Sequence, residues 1–314
     1  MNPHVRRSDP VAAALRARRP VVALETTLIT HGLPRPQGLE AALRLEAMVI
    51  ETGAVPATIG VLDGSVRVGM DRAALEQLAN AEPAAKKCNL SNLAAQIASG
   101  APGSTTVAAT MAIAASCGIE VFATGGIGGV HRNESQTGDV SADLTALARY
   151  PVAVVCAGAK AILDLPRTVQ ALETAGVPVF GFQTDEFPAF YRRSSGLAVD
   201  RRFDEPDPLA NAIRTHWNLF GTGVLVVNPI PAADELPIDS YESALAEALA
   251  EADRRGVGGR DVTPFLLDRL RERTGGASVR ANLALLAHNA RVAATLAGAL
   301  ARLADEPAIP VREG

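Results

Sequence analysis

Lys160 closes an apolar run, Val154, Val155 and Cys156, after the small residues Ala157, Gly158 and Ala159. Desolvation disfavours an ammonium, so an amine held there is a candidate neutral nucleophile that could form an imine with a sugar aldehyde. A lysine that lays its stem on apolar surface and carries its charge to water reads the same way. Glu25 ends a second apolar run and is followed by Thr26, Thr27, Thr30 and His31. A partly buried carboxyl there could give or take a proton, with an ion-paired or capping glutamate as the plainer reading.

Further polar or glycine-rich segments offer partners to these two. Residues 103–110 form a hydroxyl-rich helix start whose free N–H groups suit a phosphate, although capping by Ser104 or Thr105 would explain it as well. Residues 123–132 place Gly125, Gly126, Gly128 and Gly129 where a strand turns into a loop, so backbone can approach a ligand closely. This is not a GxGxxG motif running straight into a helix, which argues against a dinucleotide. Asp139 and Asp143, four apart, could share a helix face and hold a hard cation with waters, or could be two solvated carboxylates. Lys86 and Lys87 are surface charge, or one of them meets a phosphate.

The elements that must position these residues alternate. Apolar runs at 20–24, 58–62, 119–123, 152–156, 177–181 and 223–227 are separated by helical patterns, which predicts an α/β sheet with helices on both faces. Leu39, Leu43, Ala47 and Ile50 mark a helix before Gly53. Another helix is expected from Asp239 or Ser240, with Glu242 available for a capping box, to Gly256. Residues 263–301 suggest two helices broken near Gly275 and Gly276. The reading is a single α/β domain over 1–314, with frayed termini at 1–19 and 302–314.

Composition narrows the function classes. A chain of 314 residues that is 48% hydrophobic can bury a large core, and a net charge of -4 gives no overall pull toward a nucleic acid polymer. Cys88, Cys117 and Cys156 are too widely spaced for a zinc site or disulfide framework, so a reducing cytoplasm is the expected compartment. Arg6, Arg7, Arg16, Arg18 and Arg19 interrupt any signal-like apolar core, and no charge-free stretch suggests a membrane partner.

Longer strings are more specific than any one site. Ala23-Leu24-Glu25-Thr26-Thr27 with Thr30-His31-Gly32, Val55-Pro56-Ala57-Thr58-Ile59, residues 123–132, Ser141-Ala142-Asp143-Leu144, Cys156-Ala157-Gly158-Ala159-Lys160, residues 184–191 and Asn228-Pro229-Ile230-Pro231 follow one another in order. In these the chain resembles the pseudouridine 5′-phosphate glycosidases, also called the indigoidine synthase A family, from about residue 21 to about residue 294. The resemblance implies a three-layer α/β/α sandwich around a mixed, largely parallel sheet, usually as a homotrimer. It implies reversible cleavage of the carbon–carbon glycosidic bond between ribose 5-phosphate and uracil through a lysine imine. Relatives in natural-product pathways act as C-glycosynthases on another aromatic acceptor, and a non-catalytic sugar-phosphate sensor is the alternative outside enzymes.

By motif position, the resemblance gives the nucleophile to Lys160 and the proton donor to Glu25, with Lys87 assisting at the substrate. Asp139 would hold a divalent metal, usually Mn2+, through water. Val107, Ser141, Ala142 and Asp143 would line the sugar-phosphate pocket, and Thr124, His131 and Asn282 would lie around the ring-bearing part of the ligand. The chemistry agrees: a C-glycoside has no leaving oxygen or nitrogen to protonate, so a pair of carboxylates is a poor catalyst for it. One segment departs from the pattern. Asn89-Leu90-Ser91-Asn92 stands where the family usually has Ser-Arg-Arg-Asp, which alters either a pocket wall or an intersubunit contact and weakens the case for uracil as the partner base.

Overall fold

Each of the six apolar runs forms a strand. The computed structural model describes residues 3–132, 134–257 and 262–305. Its strands are β1 Val5–Arg7, β2 Val21–Glu25, β3 Val55–Leu62, β4 Ser65–Val68, β5 Lys86–Cys88, β6 Gly103–Thr105, β7 Val121–Ala123, β8 Ala153–Cys156, β9 Val179–Phe182, β10 Arg201–Phe203 and β11 Val224–Val227. Among the described residues they make one sheet in the order β1-β4-β3-β2-β7-β8-β11-β9-β10, with β6 attached to β3 and β5 attached to β6. Only the pairings of β3 with β4 and of β3 with β6 are antiparallel; the others are parallel. Helices flank this mixed sheet in an α/β/α arrangement. Strands β8 and β11 are buried at every residue, as their unbroken apolar sequence requires of strands covered on both faces.

The helix Ala277–Asp305 crosses β2, β7 and β8 and rests against the helices Gln37–Glu51 and Pro206–Leu219. It is long and apolar enough to span a bilayer by length and composition, yet its apolar stretch is 67% buried in the core. Leu285, Ala290, Ala293, Leu296 and Leu300 form its inner face, each buried leucine contributing about 1.5–3 kcal/mol. The break before it falls at Gly275 and Gly276, both in the left-handed region that glycine enters without steric cost.

Several local expectations change. Residues 5–16 are not frayed: β1 pairs with β4, and Val11 and Ala14 of the helix Asp9–Arg16 are fully buried, so the arginine-rich start is tied down by its apolar side. Residues 306–314, the bulk of the other expected frayed end, lie outside the described residues. In Gln37–Glu51 the buried stripe is Gly38, Ala41, Ala42, Leu45 and Val49, while Ile50 is 61% exposed. Small residues carry that interface, which hid it from a reading that followed large apolar ones. Residues 103–105 are strand β6, and Thr106 caps the helix Val107–Cys117 in place of Ser104 or Thr105. The helix Ile238–Arg255 ends at left-handed Gly256 as expected, but its N-cap is Pro237 and no capping box forms.

Candidate active site

Parallel strands that end side by side bring their following loops together, and β2, β7 and β8 are such neighbours. Glu25 ends β2, Thr124 follows β7, and Lys160 lies in the loop after β8. All three line one cavity of about 370 Å³. Lys87, His131, Asp139, Ser141, Ala142, Asp143 and Asn282 line it too. Of the residues put forward for the site, Val107 alone does not. Its side chain is 1% exposed and sits in the core, so the helix start can offer a ligand only backbone N–H there.

The carboxylates are held firmly. Thr124 Oγ1 donates to Glu25 Oε1 at 2.5 Å, and the Thr27 hydroxyl donates to Oε2. Thr124, which the resemblance puts beside the base, therefore also orients the acid. Asp143 is 5% exposed; Ala108 N donates to its Oδ1 at 2.9 Å and Gly128 N to its Oδ2 at 2.8 Å. It is not a solvated carboxylate: it braces the helix Val107–Cys117 against the glycine loop. A Cβ on Gly128 would lie 2.3 Å from Ser141 Oγ and 2.8 Å from Asp143 Oδ2, so only glycine allows that approach. Asp139 sits in the loop before the helix Ala142–Leu147, not on a helical face with Asp143.

Lys160 is placed by its backbone. Its N–H donates to Ile127 O at 3.0 Å, tying the lysine loop to the glycine loop. Gly158, two residues earlier, has φ +81 and passes so close to Pro188 O that a Cβ would lie 2.1 Å from it. Nearby His131 has its pKa pushed below the ordinary value by burial, with a counterweight from Asp139 and a further push from Lys160 and Lys87. His131 Nδ1 lies 3.9 Å from Asp139 Oδ2. Burial drives the thiols of Cys88 and Cys156 up to about 11 and about 12, which removes both as thiolate nucleophiles near neutral pH.

The structure decides one open reading and adds residues that the sequence analysis did not name. Asn89, Ser91 and Asn92 face the cavity, so the divergent segment is a pocket wall. Asn92 Nδ2 donates to Lys87 O at 3.0 Å and Asn92 Oδ1 accepts from Asn89 N at 2.8 Å, a turn that fixes the backbone of Lys87. Behind the wall, Asn289 Nδ2 donates to Thr124 O at 2.8 Å, and Asn228 Nδ2 donates to Asn289 Oδ1 at 3.0 Å. Asn289 falls seven residues after Asn282 on one helix, hence on the same face, and that spacing was a readable signal. Phe190, Leu267 and Leu286 give the cavity an apolar side fit for a flat ring.

Residues 10–299 match the family described as indigoidine synthase A like protein. The pseudouridine-5'-phosphate glycosidase of Caldanaerobacter subterraneus subsp. tengcongensis is 50% identical over 98% of this chain and 100% of its own length. That of Paracoccus denitrificans is 53% identical over 96% of this chain and 100% of its own. Among solved structures, the prealnumycin C-glycosynthase AlnA in complex with ribulose 5-phosphate superposes with a TM-score of 0.90 at 40% identity, covering 97% of this chain and 99% of AlnA. An indigoidine synthase A-like protein from Thermotoga maritima gives 0.86 at 35% identity over 95% and 97%. With a lysine, a clamped glutamate and a second lysine facing one cavity, and a match running through nearly the whole chain, this protein belongs to the indigoidine synthase A family.

Proposed function

We propose that this protein is a pseudouridine 5′-phosphate glycosidase, interconverting that compound and water with uracil and ribose 5-phosphate through an imine on Lys160. The observation that carries the reading is that Lys160 and Glu25 face the same cavity from neighbouring strand ends. The names of relatives about half identical over nearly full length support it. In this mechanism the Lys160 amine adds to C1′ and the C1′–O4′ bond breaks, O4′ taking up a proton. The nitrogen lone pair then forms the C1′=N imine as the bond to uracil C5 breaks, and C5 receives a proton from Glu25. Water adds to C1′, the C–N bond breaks, and ribose 5-phosphate leaves.

The two threonine hydroxyls on Glu25 hold its carboxyl in one orientation through these steps. Lys87 and the backbone N–H of Val107 are suited to the phosphate end, where positive charge and a helix-start donor meet an anion; the next two N–H groups already donate to Asp143 and Thr106.

A divalent cation, Mn2+ in this reading, would be held by Asp139. Among the described residues no group of three or more His, Cys, Asp or Glu could hold a metal. A single carboxylate with waters and a substrate phosphate is nevertheless a donor set that small hard cations accept. The ion would supply charge neutralisation at the phosphate. A homotrimer and a cytoplasmic location belong to the same proposal.

The second reading is a C-glycosynthase that joins ribose 5-phosphate to another aromatic acceptor. It is supported by the likeness to AlnA and by the neutral polar wall at Asn89, Ser91 and Asn92. Uracil release from pseudouridine 5′-phosphate by the purified protein tests the choice. Release supports the glycosidase; sugar trapping on Lys160 without release favours the synthase.

A further inference from the structure

Where β7 runs out, the sheet drops one carbonyl. Thr124 N donates to Val155 O at 3.0 Å, as the parallel pairing of Ala123 with Val155 requires. Regular continuation would give the Thr124 carbonyl to Ala157 N. Instead Ala157 N donates to Gly125 O at 2.9 Å, so the β7–β8 ladder slips by one residue and leaves Thr124 O outside it. Thr124 is 2% exposed, and a buried carbonyl without a donor is costly.

Asn289 fills the gap. It lies on the helix Ala277–Asp305, and its Nδ2 donates to Thr124 O at 2.8 Å and approaches Gly125 O at 3.4 Å. Both neighbours are carbonyl oxygens, which only accept, so the amide nitrogen must face them and Oδ1 must face away. Asn228 Nδ2 then donates to that Oδ1 at 3.0 Å. Asn228 follows β11, and its own N–H donates to Cys156 O at 2.8 Å, which anchors the pair to the sheet. Asn289 is 1% exposed and Asn228 2%, and neither lines the cavity. The two buried amides thus act on one carbonyl, and its residue is the one that holds Glu25: Thr124 Oγ1 donates to Glu25 Oε1 at 2.5 Å.

We propose that Asn289, backed by Asn228, is a positioning residue for the proton donor: by holding the Thr124 carbonyl outside the ladder it keeps the Thr124 hydroxyl on Glu25. The competing arrangement is a regular ladder. Without the Asn289 amide the slipped register leaves Thr124 O unsatisfied, and a return of Ala157 N to it would carry Thr124 along the strand and draw its hydroxyl off Oε1. A carboxyl displaced by about 1 Å delivers its proton poorly. The inference rests on the glycosidase reading, in which Glu25 protonates uracil C5.

Two experiments test it, one of them without turnover. A crystal structure of Asn289→Ala should show Ala157 N on Thr124 O and the Thr124 hydroxyl beyond hydrogen-bond reach of Glu25; a threonine and a ladder that stay in place overturn the proposal. In kinetics, Asn289→Ala should lower kcat for uracil release about tenfold to a hundredfold, while KM changes by less than about threefold. Thr124→Val removes the hydroxyl through which Asn289 acts. In that background Asn289→Ala should lower kcat by less than about a further twofold. Equal losses in both backgrounds are what general loosening of the fold produces, and they overturn the assignment. Should Asn289→Ala fail to fold, Asn228→Ala takes its place in both experiments, with an expected loss in kcat of about threefold to tenfold that again disappears in Thr124→Val. Absence of uracil release from the unaltered protein sinks the glycosidase reading instead, and the crystal structure still decides whether Asn289 positions Thr124.

Discussion

At the floor of the cavity both oxygens of Glu25 and both oxygens of Asp143 are engaged by hydroxyls or backbone N–H groups. At the rim, Asn89, Ser91 and Asn92 bond chiefly to one another and to the Lys87 carbonyl, and His31 lines both the main cavity and an adjoining one. The floor joins a strand end of a buried sheet, Glu25, to the helix Ala142–Leu147, whose Asp143 is tied to two other segments, so its geometry is over-determined. The rim is a short turn, one π-helical turn and the helix Val262–Arg273, none of them part of the sheet. On the proposed function, shared chemistry on the sugar phosphate belongs to the floor and choice of base to the rim.

Replacing Lys160 should break the floor's chemistry most severely. Lys160→Ala is expected to lower kcat for uracil release by at least about a thousandfold, as loss of a nucleophile does, with little change in thermal unfolding because the side chain is only partly buried. Near-normal turnover would move the nucleophile elsewhere. Next comes Glu25→Gln, which keeps the side chain's size, leaves one of the two threonine hydroxyls facing an amide NH2 and has no proton to give; the expected loss in kcat is about 10²–10⁴-fold.

Asp143→Ala should read out as stability. It leaves the buried N–H groups of Ala108 and Gly128 without acceptors and should cost about 2–4 kcal/mol in denaturant unfolding, with Asp143→Asn costing roughly half, since one acceptor oxygen survives. A neutral Asp143→Ala would mean that the loop and helix are not braced there. At the rim, Asn92→Ala should cost about 1 kcal/mol and change KM and base preference more than kcat. A collapse of kcat there would erase the division between floor and rim.

The smallest effect is on pH dependence. Burial lowers the pKa of His31 and of His288 from the ordinary 6.5. Below about that value the unfolded chain binds protons that the folded chain does not, so stability should fall as pH drops and level off once the folded state is protonated as well. Unfolding temperature measured from pH 8 to pH 5 should show this slope, reduced in His31→Gln. A slope of opposite sign would mean that these rings are charged in the fold.

Much of the floor was legible because its signal is repeated: an apolar run followed by a polar or glycine-rich segment, three times over. Glu25, Thr124 and Lys160 all follow from it. Strands β1, β5, β6 and β10 have three residues each, too few for a period, and went unread. Asp143 looked solvent-exposed because its acceptor role depends on N–H groups 35 and 15 residues away. Val107 shows the reverse error, since a motif position can mark backbone where a reading of side chains looks for a contact. His31 was visible as a polar residue after a strand, but its hydrogen-bonded chain runs through Thr30 to Ser104, 74 residues from Thr30.

The most direct test of the account is intact mass after borohydride reduction in the presence of ribose 5-phosphate. The account predicts a covalent sugar-phosphate adduct that maps to the peptide bearing Lys160 and is absent from Lys160→Ala. An unchanged mass, or an adduct that persists in Lys160→Ala, would contradict it.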